Sequence, residues 1–451
     1  MKISESKLQI ISNEKVYPSS PTPHKLQTYK ISMLDQANSP MPVPIILYFP
    51  SYNVPKSSAD TTFEARVQLL KRSLSAILTR FYPLAGRISK DGRSIDCKDE
   101  GVPFIVAKIQ GEMIADSRYD LAHGPAEPCL FPREIGWDTE LGPGDNVAMI
   151  QVNRFECGGI AIAVVFWHKM GDAVTMINFI DSWAATARAS TKECICPNYL
   201  FQHLFPQNEE MQTQDGSLRP LLRVGKSVMR RFVFDSSAIN KLKEKSFVER
   251  PTRVEVVSAL IWKCFMAASL ANDKPESLLT HAVNLRRRSQ LPFASDCFGN
   301  LGGMAAASCT NGKEMDLGKL VGKIRGAISK VNDDYVTRML GDQGFLGYCK
   351  NLEETWSGIP KEADFVCISS WCNFGVYKVD FGWGKPVWIT RSESGGGSES
   401  CFLNAVWLVD TRNGDGVEAW VTLEDKYMQV FEKVEELQAL ASIDPNPLNI
   451  N

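Results

Sequence analysis

Twice along its length this chain repeats one pattern: two apolar runs around a turn, then a segment with helical spacing. In the first copy Val147 to Val152 and Ile160 to Trp167 flank the turn Asn153-Arg154-Phe155-Glu156-Cys157-Gly158-Gly159. Asp172 to Arg188 follows, with Val174, Ile177, Phe179, Ile180 and Trp183 on or near its apolar side. In the second copy Phe402 to Val409 and Val417 to Leu423 flank the turn from Asp410 to Gly416, and Glu424 to Ala441 reads as a helix. A chain of 451 residues exceeds one ordinary hydrophobic core. The repeat therefore predicts an α/β protein of two similar-sized domains side by side. The polar, proline-containing stretch from Thr191 to Leu222 has the composition of a connection. The predicted division is residues 1–190, a crossover linker 191–222, and residues 223–451, with some strand exchange between the two domains.

Further elements fill each half. Val43 to Phe49 reads as a buried strand, and Phe63 to Phe81 as a helix stopped by Pro83. Phe232 to Phe234 reads as a strand, with Ser236 and Ser237 as N-cap candidates for the helix after it. Thr252 to Leu270 has strong helical spacing.

Composition narrows the function. A hydrophobic share of 44%, a charged share of 23% and a net charge of −2 describe a soluble globular protein and argue against a nucleic-acid binder. No apolar run approaches a membrane span, and Met1 to Pro18 lacks the apolar centre of a signal peptide. The twelve cysteines are scattered, and Cys194 with Cys196 does not form a zinc spacing. Reduced thiols in a cytoplasmic protein, without a metal, are the expectation.

The second copy differs from the first at its strand end. His168 directly follows the apolar run Ile160 to Trp167, and Asp172 stands four residues on, where the helical spacing starts. None of the other four histidines, at 24, 123, 203 and 281, is framed this way. Imidazole is the side chain best suited to act as a base near neutral pH. A histidine after an apolar strand can equally be a packed core residue. As metal ligands, His168 and Asp172 lack a third partner nearby. As triad members they lack a Gly-x-Ser-x-Gly elbow, which occurs nowhere in the chain. Gly225-Lys226-Ser227 has the tail of a phosphate loop, but Pro220 stands where its first glycine belongs.

Three other segments stand out. Asp380-Phe381-Gly382-Trp383-Gly384 places two glycines around a tryptophan before Lys385-Pro386, which predicts a constrained loop organised by Asp380. Arg286-Arg287-Arg288 offers cations, one of which suits a buried carboxylate such as Asp172. The run Ser394 to Ser398, with three central glycines, reads as a hairpin loop.

His168-x-x-x-Asp172 followed much later by Asp380-Phe-Gly-Trp-Gly384 resembles the paired signature of the plant BAHD acyl-CoA-dependent acyltransferases. Other blocks that look like this family cover nearly the whole chain. They include Leu34-Asp35-Gln36, Phe81 to Arg87, Phe155 to Gly159, Thr252-Arg253-Val254-Glu255, Asn284-Leu285-Arg286, Phe298-Gly299-Asn300 and Ser369-Ser370-Trp371-Cys372. The details are similar to the branch of vinorine synthase and salutaridinol acetyltransferase. The resemblance implies a fold like that of chloramphenicol acetyltransferase, with a tunnel at the domain interface. It implies an O-acyltransferase moving an acyl group, acetyl by the branch, from acyl-CoA to a hydroxyl of an alkaloid or terpenoid. His168 is then the general base in a ternary complex, and Asp172 turns away to pair with Arg286. Asp380 belongs to the family motif, and its loop with Gly382, Trp383 and Gly384 supports the fold away from the tunnel. The Trp383 indole N–H is also a family suggestion for the oxyanion donor. Thr252, Arg253, Ser369 and Ser370 are placed along the CoA arm, with Arg253 or a member of Arg286 to Arg288 near the nucleotide phosphate.

The partners implied are acyl-CoA as co-substrate and a small alcohol, with no bound cofactor, nucleic acid or membrane, and a monomeric state. One departure is Asn373, where many members carry an arginine that helps to bind an acidic acceptor. Two rival readings keep the same histidine or fold: a thioester or ester hydrolase, and a non-catalytic small-molecule-binding relative.

Overall fold

The computed structural model describes residues 8–51, 62–110, 113, 128–133, 135–190, 194–211, 221–290, 295–310, 316–391 and 400–447. The run from Ser394 to Ser398 and part of the 191–222 connection lie outside the described residues.

Two sheets carry the chain. The first has six strands in the order Leu8–Val16, Val102–Ile109, Ala148–Phe155, Ile160–Trp167, Pro42–Phe49, Trp388–Thr390. Pro42–Phe49 and Ile160–Trp167 are buried at every position, as continuous apolar strands covered on both faces must be. They pair antiparallel from Pro42 against Trp167 to Phe49 against Ile160. A proline inside such a strand removes a ladder donor. Pro44 is tolerated because the neighbour on its other side, Trp388–Thr390, pairs only with Ile46 to Tyr48. That short neighbour comes from the C-terminal part of the chain, which therefore completes the N-terminal sheet.

The second sheet has seven strands in the order Gly302–Thr310, Glu276–Asn284, Asp364–Ser370, Ala405–Asp410, Val417–Glu424, Ser227–Phe234, Ser442–Ile443. One face packs on the helix Arg253–Leu270, whose Trp262 indole donates to Ser277 Oγ at 2.9 Å. The other face contributes Trp371, Trp407, Val409 and Trp420 to the core of the first sheet. Trp371 meets Trp407 at 5.3 Å, Trp407 meets Trp420 at 6.3 Å, Trp420 meets Trp388 at 6.1 Å, and Trp388 meets Tyr48 at 5.1 Å between ring centres. The sheets thus join through a layer of aromatic rings, each burying a large apolar area. Inside that layer Arg231 donates to Glu418 at 3.1 Å, and the Tyr377 hydroxyl donates to the other Glu418 oxygen at 3.0 Å.

Both hairpins of the repeated pattern form, Ala148–Phe155 with Ile160–Trp167 and Ala405–Asp410 with Val417–Glu424. Several boundaries differ from the pattern. The run from Phe402 breaks at Leu403 and Asn404, because the Asn404 amide is buried and donates to the Phe365 carbonyl. The C-terminal helix splits into Asp425–Phe431 and Glu435–Gln438. The second piece is reoriented so that Leu437 is buried while Glu436 pairs with Lys263 at 2.7 Å. Asp235, not a serine, caps the helix Ser236–Ser246, accepting from Ala238 N at 2.7 Å. Among the described residues no helix is long and apolar enough to cross a membrane.

Candidate active site

The strand Ile160–Trp167 delivers His168 to one end of the first sheet. His168 N–H donates to the Met41 carbonyl at 2.9 Å, the last rung before the chain leaves the ladder. Residues His168–Met170 then make one 3-10 turn, and the helix Ala173–Ala187 starts with Asp172 as its N-cap. Asp172 accepts from Thr175 N at 3.1 Å, satisfying a helix N-terminal donor. The residue between has to be glycine: a Cβ at Gly171 would sit 2.5 Å from Thr175 Cγ2. Thr175 cannot give way, since its hydroxyl donates to the Gly299 carbonyl at 2.8 Å and accepts from Gly299 N at 3.2 Å.

Asp172 points away from His168, across to the second sheet. Its Oδ2 accepts from Arg286 Nη1 at 2.5 Å and from Leu301 N at 3.0 Å. Arg286 is buried and also donates to the carbonyls of Cys297 and Gly299 at 3.2 and 3.0 Å, over the ring of Phe201. Burial alone would raise the Asp172 carboxyl. The Arg286 charge and the converging donors outweigh it and hold the carboxyl below its ordinary range. The pair therefore fixes the strand-to-helix turn to the segment after Glu276–Asn284.

Sequence reasoning missed a second clamp on His168. Asn300 Nδ2 donates to the His168 carbonyl at 2.8 Å and to Asp35 Oδ1 at 2.8 Å. Asp35 Oδ1 also takes Asn300 N at 2.7 Å, and its Oδ2 takes the amide and hydroxyl of Ser32 at 2.8 and 2.7 Å. Asp35 and Asn300 are both almost fully buried. Next to them Lys169, also buried, donates to the Gln36 carbonyl at 2.6 Å. The only sequence signal was that Leu34-Asp35-Gln36 and Phe298-Gly299-Asn300 look like family blocks.

His168 itself is partly enclosed, and its Nδ1 is buried without a protein partner. Burial is the largest influence on its protonation and pushes the imidazole below its ordinary value of 6.5; the Arg391 cation adds to this, and Asp172 opposes it. A neutral imidazole at physiological pH is the form able to accept a proton.

The structure does not bring Asp380 to His168. Asp380 Oδ1 accepts from Gly382 N at 2.7 Å and Gly384 N at 3.0 Å, folding the loop on itself. Gly382 and Gly384 take φ of 105° and 102°, where a Cβ is strained. Phe381 and Trp383 stack at 5.6 Å, and both meet Phe49, at 6.0 and 6.3 Å. Phe49 pairs with Ile160, whereas His168 follows Trp167 at the other end of that strand. Eight residue steps along the strand separate the two levels by about 25 Å. The Trp383 indole is thus packed at the Phe49 end of the strand, away from the His168 end.

The residues placed along the CoA arm divide. Thr252 caps Arg253–Leu270 in a reciprocal box with Glu255, which Arg325 grips at 2.9 Å through two nitrogens. Arg253 is taken up by Asp410 at 2.5 Å, Asn373 Oδ1 at 2.8 Å and the Gly414 carbonyl at 2.8 Å. Arg253 thus ties the turn after Ala405–Asp410 to the helix start. Asn373 belongs to that knot and has φ 68°, a conformation that asparagine tolerates better than most residues. Arg288 donates to the Ile328 and Val331 carbonyls, and Arg287 is exposed. Ser369 and Ser370 end the strand Asp364–Ser370 and are half-buried. Thr280 pairs with Cys367, and Ser369 with Trp407, so these four share one face of the second sheet.

The model of the Transferase family matches residues 6–438. Epi-neemfruitin B 7-O-acetyltransferase of Melia azedarach is 39% identical over 453 residues, spanning 98% of this chain and 99% of that protein. Salutaridinol 7-O-acetyltransferase of Papaver somniferum is 33% identical, spanning 94% and 96%. The crystal structure of vinorine synthase superposes with a TM-score of 0.79 at 31% identity, covering 97% of this chain and 99% of that one. An F. graminearum protein crystallised with coenzyme A and T-2 mycotoxin has a TM-score of 0.68 at 17% identity, covering 92% and 99%, a likeness of fold alone. With the family model and these relatives matching end to end, the chain belongs to the BAHD acyltransferases and is an acyl-CoA-dependent O-acyltransferase.

Proposed function

We propose that the enzyme transfers acetyl from acetyl-CoA to a hydroxyl of a plant specialised metabolite, with His168 as general base in a ternary complex. The observation that carries this reading is the state of His168. Its imidazole is held neutral by burial, and its backbone is clamped at both N–H and carbonyl. An alcohol holds its proton far above neutral pH, while a thioester is already activated. His168 Nε2 takes the hydroxyl proton as the oxygen attacks the thioester carbon, and the CoA thiolate then leaves with the proton from the imidazolium. No acyl-enzyme forms. Asp172 with Arg286, and Asn300 with Asp35, hold the base in place; Asp380, Gly382, Trp383 and Gly384 support the first sheet.

In this reading residues 1–190 and 223–451 are the two domains, linked by 191–222, and the substrates meet at a tunnel between them. Ser369 and Ser370, half-buried at a strand end, flank the pantetheine arm. Acetyl is favoured over longer chains because the relatives cited are acetyltransferases by name. The enzyme acts as a cytoplasmic monomer; its twelve cysteines, all free thiols, suit a reducing compartment.

The test is thiol release from acetyl-CoA with and without a panel of alcohols. Release only with an alcohol supports transfer. Release without one means hydrolysis, and release under neither condition means a binding protein. Ping-pong kinetics with an isolable acyl-enzyme contradict the ternary complex.

A further inference from the structure

Arg66 is a buried cation that neither the chemistry nor the motifs use. It stands near the start of the helix Phe63–Leu78, which Thr62 caps by accepting from Ala65 N at 3.2 Å. Only 8% of the residue is exposed. Side chains on a helix lean toward its N-terminus. The guanidinium accordingly reaches back and lies over the ring of Trp383, 5.4 Å from its centre. Arg66 thereby joins this helix start to the Asp380 loop, at the Phe49 end of the first sheet. His168 is at the other end of the neighbouring strand, about 25 Å away along it.

Donors gather there without an acceptor. Glu64, the carboxylate of the same helical turn, faces Arg154 at 3.5 Å instead. Asp380 turns Oδ1 inward to Gly382 N and Gly384 N. Among the described residues no acid pairs with Arg66, and burial alone acts on its protonation, drawing it below the ordinary arginine range. The Trp383 indole N–H is also buried with no acceptor on the protein. The far face of that ring is taken by Phe381, stacked at 5.6 Å. The helix start adds backbone N–H groups that no turn of its own can satisfy, and the positive end of its dipole. A buried charge without a counter-ion is costly, and the face of one ring offsets only part of that cost.

We propose that Arg66 and Trp383 form an anion site that takes a phosphate group, separate from the place of acyl transfer. The planar guanidinium offers two parallel N–H donors to one edge of a phosphate. The indole N–H and the helix start supply donors from other directions, which suits a tetrahedral anion with oxygens to spare better than a flat carboxylate. The bound anion braces the start of Phe63–Leu78 against the Asp380 loop. The site goes beyond the acetyltransferase reading and stands or falls without it.

The experiment titrates the full-length enzyme with inorganic phosphate and with glycerol 1-phosphate, which tells the free ion from a phosphate ester. Potassium chloride and potassium acetate at matched ionic strength are the controls. Melting temperature and equilibrium dialysis are read for the native enzyme, Arg66→Gln and Arg66→Lys. The native enzyme should bind one of the two phosphates saturably and melt later with it. Arg66→Gln should weaken that binding by about tenfold or more, the worth of hydrogen bonds to a charged group. In phosphate-free buffer it should melt no earlier than the native enzyme, because it removes an unpaired charge. Arg66→Lys, which keeps the charge without the fork, should fall between the two. KM for acetyl-CoA should be the same in all three. A shift that chloride or acetate reproduces is salt screening only and overturns the proposal. Phosphate binding that survives Arg66→Gln, or that is lost together with affinity for acetyl-CoA, places the phosphate elsewhere and overturns it too. No saturable binding to the native enzyme leaves Arg66 as a packing cation on Trp383.

Discussion

The two aspartate motifs look alike on paper and differ in the fold. Asp172 and Asp380 each accept backbone N–H groups and each start a local structure. Asp172 caps a helix and spends its other oxygen on Arg286, 114 residues away, joining the catalytic turn to the second sheet. Asp380 spends one oxygen on its own loop and presses Phe381 and Trp383 against Phe49, at the opposite end of the strand that carries His168. One motif therefore fixes the turn that carries His168, the proposed base; the other packs Phe381 and Trp383 on Phe49 of the first sheet. A shared signature need not be a shared site.

Substitutions separate the two. The largest stability loss is expected for Asp172→Ala, which leaves Arg286 buried and unpaired at a cost of about 3 kcal/mol. Thermal melting and turnover should fall together, and a variant that melts like the native enzyme contradicts the coupling. Gly171→Ala should behave similarly but more mildly, because its Cβ must displace Thr175 from Gly299 and Arg286; overpacking of this kind costs about 1–3 kcal/mol. Gly382→Ala forces a Cβ onto a positive φ at about 1–2 kcal/mol. It should lower the melting temperature yet leave kcat per folded molecule unchanged; a kcat loss in fully folded protein would place the Asp380 loop in the chemistry after all.

The smallest effect expected is one of pH. In the proposed role His168 must be neutral to act, and its pKa is lowered from 6.5, chiefly by burial. The protonated, inactive form is therefore populated only below that value, so the acid limb of kcat/KM should lie under pH 6.5. An acid limb at or above 6.5 would mean that the imidazole is not desolvated in the working enzyme.

Much of the first motif's surroundings was legible because it is local. An apolar run with no alternation announced a strand covered on both faces, and an aspartate before helical spacing announced a cap. The strand Gly302–Thr310 left no such mark: Gly-Gly-Met-Ala-Ala-Ala-Ser-Cys-Thr has only one β-branched residue and forms by pairing with Glu276–Asn284. The Asp35–Asn300 clamp joins residues 265 positions apart, and periodicity says nothing about such partners. Arg253 was legible as a cation but not as a spent one, because its partners Asp410 and Asn373 reach it only in the folded chain.

The division of labour between the motifs is tested most directly by measuring melting temperature and acetyl-CoA turnover side by side for His168→Ala and Asp380→Ala. His168→Ala should melt like the native enzyme and lose about 10²-fold or more in kcat, the usual contribution of a general base. Asp380→Ala should melt earlier and keep its kcat per folded molecule. Full turnover in a folded His168→Ala would contradict the account, leaving His168 as a packed residue at a strand end.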